Sequence, residues 1–232
     1  MIRCLMFFTA VLAAAGSAAG QEKKQEPEPW YHKLARVLGV DRAPVALKGP
    51  SQSTAGELWI TPADHAEPRR IADGGGFSSP VFQPGGKYVF ALDGAELVRA
   101  PVAGGAAVKM RSLPGVVKLV GFDAQNTDLV LAIFKGKASG APATVDIAMV
   151  SVKTGKREMV ASRQPADSAE VTSLLAWQRS YGEVYVLPIG NEVAVGGIKA
   201  VEIPVTDCGT AVCSQPAYSP ELKQVAFVRS GQ

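Results

Sequence analysis

The most reactive pair of residues in the chain lies in "TDCGTAVCSQ", where Cys208 and Cys213 stand five positions apart. Thiols at CxxxxC spacing supply either half of a zinc site or the two ends of a short disulfide loop. The third cysteine, Cys4, belongs to "MIRCLMFFTAVLAAAGSAAG". There a thin basic start (Arg3), a short apolar run and the small residues Ala18-Ala19-Gly20 have the layout of a secretory signal peptide. Cleavage after residue 20 leaves two cysteines in an oxidising compartment, so a Cys208–Cys213 disulfide is expected. The two histidines, His32 and His65, are remote from that pair. No metal site and no cofactor are expected.

The remaining candidates for chemistry are carboxylates. Asp64, Asp73, Asp93, Asp123, Asp128, Asp146, Asp167 and Asp207 are scattered along the chain. Two of them meeting in space would serve as the acid and base of a glycan hydrolase or lyase. Nothing in their spacing selects a pair, and most fall in turns, where Asp bonds its local backbone. There is no G-x-S-x-G elbow, phosphate loop or G-x-G-x-x-G fingerprint. No catalytic residue is assigned, and a non-enzymatic role is the first expectation.

The elements that would position these groups are punctuated by repeats. "SSPVFQPGGKYVFAL" at residues 78–92 returns as "SQPAYSPELKQVAFV" near the end of the chain. Aligning on the aromatic that closes the first strand gives Phe82, Phe122, Trp177 and Tyr218, at spacings of 40, 55 and 41 residues. A period near 40 is that of four-stranded propeller blades. The units read as residues 76–112, 116–162, 171–213, and 214–232. In the third, "SLLAW" reads as the first strand, "EVYVLPI" and "GIKAVEIPV" as the next two and "TAVC" as a short fourth, with Gly190–Gly197 as an inserted loop. The fourth unit has only two strands of its own. "GELWITP" and "EPRRIAD", within residues 55–75, match the missing third and fourth strands, so the chain is expected to be complete and its last blade built from both ends. The expected fold is all-β: a four-repeat β-propeller over residues 55–232, closed by N-terminal strands.

These two stretches resemble the "P-x-[aromatic]-S-P-D-G-K-x-[apolar]-x-F" signature of TolB-like propeller repeats. The resemblance covers residues 55–232 and implies a propeller of secreted or periplasmic type. It specifies blades and names no ligand.

Ahead of the repeats, residues 21–29 ("QEKKQEPEP") read as a charged, extended linker. In residues 30–40, Trp30, Leu34, Val37 and Leu38 share one face of a short amphipathic helix. That face either packs on the propeller or meets a partner, with Trp30, Tyr31, Lys33 and Arg36 as candidate contacts. The long loop at Lys135–Ala143 and the one at Gly190–Gly197 occupy equivalent places in their repeats, which adds Lys135, Lys137, Asn191 and Glu192. The chain is 47% hydrophobic with 19% charged residues and a net charge of +3. That suits a packed core, and the mixed charges leave no basic run for nucleic acid. No membrane span is expected once the signal peptide is removed. The partner expected is another envelope or secreted protein, which makes the chain a binding or scaffold module of the cell envelope. An edge-paired homo-oligomer is a structural alternative.

Overall fold

The computed structural model describes residues 28–40, 55–64, 67–136, 142–181, 184–197 and 200–231. The stretch expected to be a signal peptide, most of the expected linker, His65 and Lys137 lie outside the described residues.

Helix α1 (Trp30–Leu38) comes first, followed by β1 (Glu57–Pro62) and the two-residue β2 (Arg69–Arg70). One four-stranded sheet follows, of β3 (Phe77–Phe82), β4 (Tyr88–Asp93), β5 (Glu96–Pro101) and β6 (Val108–Ser112), paired in that order. A second contains β7 (Val116–Phe122), β8 (Asp128–Lys135), β9 (Thr144–Ser151) and β10 (Arg157–Pro165). Helix α2 (Ala169–Ala176) leads to a three-stranded sheet of β11 (Val184–Ile189), β12 (Glu192–Gly197) and β13 (Ala200–Pro204). The last strands, β14 (Val212–Ser219) and β15 (Gln224–Ser230), complete a fourth sheet in the order β14-β15-β1-β2. The N-terminal strand β1 pairs antiparallel with β15 through six residues, from Glu57 opposite Arg229 to Pro62 opposite Gln224. The result is a four-bladed β-propeller whose last blade is closed by N-terminal strands.

Burial explains which sequence becomes which strand. The second strand of each four-stranded sheet is an apolar run, because packed layers cover both of its faces, a sheet on one side and helices on the other in the case of β8. Residues 89–92 of β4, 129–133 of β8 and 225–228 of β15 are all buried. Outer strands β6 and β2 are mostly exposed and carry Lys109, Arg69 and Arg70. Charged edges of this kind discourage strand addition.

Three of the four junctions around the ring are sheet on sheet. Phe90, Leu92 and Leu97 of the first sheet meet Leu119, Phe122 and Leu129 of the second. Leu58 and Ile60 of the closing sheet meet Phe82 and Val89. Val186 and Val193 of the third meet Val225 and Phe227. The fourth junction is different. Here the second sheet packs on helices, with Val120, Val130 and Ile147 against Leu34 and Leu38 of α1 and Val171 and Leu174 of α2.

That junction corrects the reading of the third unit. "SLLAW" is not a strand: it is the second half of α2 with Trp177 as its C-terminal cap. The Ser168 hydroxyl accepts the Val171 N–H at 3.2 Å, and Glu170 sits in the first turn. This is a regular helix start. "TAVC" belongs in part to β14 of the closing sheet, and Gly190–Gly197 is largely strand β12, entered through a tight turn at Gly190-Asn191.

Candidate functional site: the cavity at the aromatic end

Strands β3, β7 and β14 all run toward the aromatic positions Phe82, Phe122 and Tyr218. Trp177 arrives at the same level from α2. All four line one cavity of about 300 Å³. Each also belongs to a different inter-blade core: Phe82 to the fourth–first junction, Phe122 to the first–second, Trp177 to the helix-filled one, and Tyr218 to the third–fourth. The repeated aromatic therefore has two roles. Its bulk wedges a junction, as repeat positions are expected to do, and its remaining edge faces the cavity.

The turns beside the cavity are built from local signals. Gly85 and Gly86 take φ of 83° and 70° in the β3–β4 turn. A Cβ on Gly86 would come within 2.6 Å of the Leu222 side chain in the equivalent turn of the last blade, so a larger residue would have to displace that side chain as well as adopt a positive φ. Asp123 is buried and organises the β7–β8 turn. Its carboxylate accepts the N–H groups of Thr127 (2.7 Å) and Asp128 (2.8 Å), the local-backbone role expected of a turn Asp. The residues before Pro80 and Pro216 both have positive φ, Ser79 at 50° and Gln215 at 52°. They link neighbouring inner strands, with the Ser79 N–H donating to Gln215 Oε1 at 2.7 Å.

Two cations near the cavity are already committed. Lys118 Nζ donates to the carbonyls of Leu175 (2.6 Å) and Trp177 (2.5 Å), at the negative end of α2. Arg179 donates to Leu38 O at the end of α1 (2.9 Å) and to Phe122 O at the end of β7 (3.1 Å). Cationic side chains thus cap both helix C-termini and tie the helices into the ring. Burial pushes Lys118 down to about 7. Arg179 also lies 5.3 Å from the centre of the Tyr181 ring, which meets Tyr218 edge-on at 6.1 Å. Burial raises the Tyr181 pKa; Arg179 opposes that rise and Glu221 adds to it. Glu221 is the one carboxylate among the described residues lining the cavity.

The sequence-predicted site residues fall elsewhere. Cys208 and Cys213 form the expected disulfide, with Cα atoms 6.2 Å apart. It is buried between the third and fourth sheets. Asn191 donates to the carbonyls of Gly209 and Ala211 in the disulfide loop. Glu192 accepts from the Thr206 hydroxyl (2.5 Å) and the Cys208 N–H (2.9 Å). Those two side chains brace the loop. In α1, Leu34 and Leu38 are fully buried, and Trp30 packs beside them. Lys33 and Arg36 face outward, Arg36 pairing with Glu28 at 2.5 Å. The helix lies against the second sheet, and its C-terminal carbonyl reaches the cavity rim through Arg179. Lys135 is exposed at the end of β8 and lies 3.8 Å from Asp146. The cavity residues Gln83, Asn126 and Gln178 are not singled out by the sequence reading; Gln83 and Gln178 directly follow the repeat aromatics Phe82 and Trp177, which is the available signal.

No protein-family model and no curated protein matches the chain. Among solved structures, a TolB protein from Agrobacterium tumefaciens is similar with a TM-score of 0.38 and 16% identity, over 75% of this chain and 62% of that one. TolB from Acinetobacter baumannii gives 0.37 and 13%, over 81% of this chain and 47% of that one. The β-propeller domain of the Trilobed protease from Pyrococcus furiosus, described as having an open velcro topology, gives 0.30 and 11%, over 81% and 78%. This chain thus spans less than two thirds of either TolB structure. By its own sheets it is a four-bladed β-propeller, and its structural neighbours are TolB proteins and another β-propeller.

Proposed function

We propose that the chain is an exported, non-enzymatic propeller that binds a partner protein in the cell envelope, through the face opposite the cavity. Inner strands end at the cavity, so each following strand starts there and finishes at the far face. Lys135 closes β8 and Ile189 closes β11 on that far face, and Val117 lies near the start of β7. The observation that carries the reading is a set of exposed apolar side chains at this end, Val117 (44% exposed) and Phe134 (43%) on the second sheet and Ile189 (39%) on the third, with the Lys135–Asp146 ion pair at the end of β8. Exposed apolar side chains next to a charged rim are the composition of a protein contact. The buried disulfide supports export, because such bonds persist in oxidising compartments.

The test is a pull-down from envelope extract with wild type and with Val117→Ser combined with Phe134→Ser. Both positions are solvent-facing, so the variant should keep its melting temperature. A protein captured by wild type and lost from the variant supports the proposal. An unchanged set of captured proteins contradicts it.

A further inference from the structure

We propose that the cavity on the opposite face is a binding site for a neutral saccharide, one or two sugar rings in size. This goes beyond the protein-binding reading and does not depend on it. A cavity of about 300 Å³ is at the small end of ligand sites. Its walls carry the rings of Trp177, Tyr181 and Tyr218. Such rings offer flat apolar faces and edges to the C–H faces of a sugar, and the tyrosines add a polar tip.

Its polar complement is the selective part. Gln83, Asn126 and Gln178 line the cavity, and their side-chain amides make no hydrogen bond among the described residues. Each amide offers a donor and an acceptor together. That pairing matches a hydroxyl group, which also gives and takes.

Charge excludes the alternatives. An anionic ligand needs free cations, yet Lys118 and Arg179 already direct their N–H groups at four backbone carbonyls. Glu221 adds a negative charge at the rim. Phosphates and uronic acids are therefore disfavoured, and neutral hydroxyl-rich rings fit.

The test is ligand-observed NMR and calorimetry on the mature chain with maltose, cellobiose and chitobiose. Digalacturonate serves as the anionic control and a proline-rich peptide as the peptide control. At least one neutral disaccharide should bind at millimolar concentration or below. Gln178→Ala should weaken it about tenfold, and Gln178 holds nothing else in place, so the fold should be kept. Tyr218→Ala should remove measurable binding, while Tyr218→Phe should retain most of it. Partner capture by the opposite face should be unaffected in all three variants. Absence of binding by every neutral disaccharide at about 20 mM would overturn the proposal. So would equal binding of digalacturonate, a preference for the peptide, or affinity indifferent to both Gln178→Ala and Tyr218→Ala.

Discussion

Lys118 of the second sheet holds the carbonyl oxygen of Trp177 at 2.5 Å, across 59 residues of sequence. The same ammonium takes Leu175 O, so one side chain caps the helix that occupies the ring junction where the others have two facing sheets. Burial pulls its pKa down to about 7 from 10.5, while the negative end of α2 favours the charged form. In the window between those values the unfolded chain binds the extra proton. Native stability should therefore rise with pH there, by up to ~1.4 kcal/mol per unit. Below about 7 both states are protonated and the contribution is constant. Lys118→Met removes this component. Denaturant titrations of both proteins across a pH series should show wild type gaining stability relative to the variant between pH 7 and 10.5. A difference that stays flat across that range would contradict the assignment.

Arg179 performs the matching task for α1. Arg179→Ala leaves the carbonyls of Leu38 and Phe122 without their donor, and a cost of about 2–3 kcal/mol is expected. Hydrogen exchange should speed most in α1. Arg179→Lys should rescue little, because one ammonium does not reproduce a planar fork reaching two carbonyls. Equal protection of α1 in wild type and Arg179→Ala would show that the apolar face of Leu34 and Leu38 docks the helix unaided.

The disulfide closes a short loop, so its expected contribution is about 2 kcal/mol. Thermal denaturation of Cys208→Ala combined with Cys213→Ala should show that loss. Glu192→Ala should destabilise in the same direction, because its carboxylate holds the Cys208 N–H and the Thr206 hydroxyl. A Glu192→Ala melting point equal to that of wild type would mean that the disulfide alone orders the loop.

The ring was legible where the repeat carried its own turn chemistry. Pro80 and Pro216 each precede an aromatic by two residues, and the apolar runs after Lys87 and Lys223 are covered on both faces. The strands at the two ends of the chain were therefore paired correctly from pattern alone. The third unit hid its difference. "SLLAW" is apolar enough for a buried strand, and periodicity alone does not separate a short apolar strand from a helix. The deciding signal was upstream, in the Ser168 cap and Glu170. Gly190–Gly197 reads as a loop when its Gly-Asn turn is overlooked, yet that two-residue turn is a hairpin signal in itself. The cavity was beyond reach of the sequence for another reason. Its amides come from three different units and converge only when the ring is formed.

The N-terminal strand β1 closes the ring by pairing with β15. Ile60 and Ala226 are direct partners in that pairing, and both are buried. Ile60→Cys combined with Ala226→Cys, purified under mild oxidation and mapped by peptide mass spectrometry, tests it most directly. Closure through β1 and β15 predicts a new cross-link joining the peptides that contain positions 60 and 226, alongside an intact Cys208–Cys213 bond. Recovery of both introduced cysteines as free thiols in a folded protein would contradict the closure.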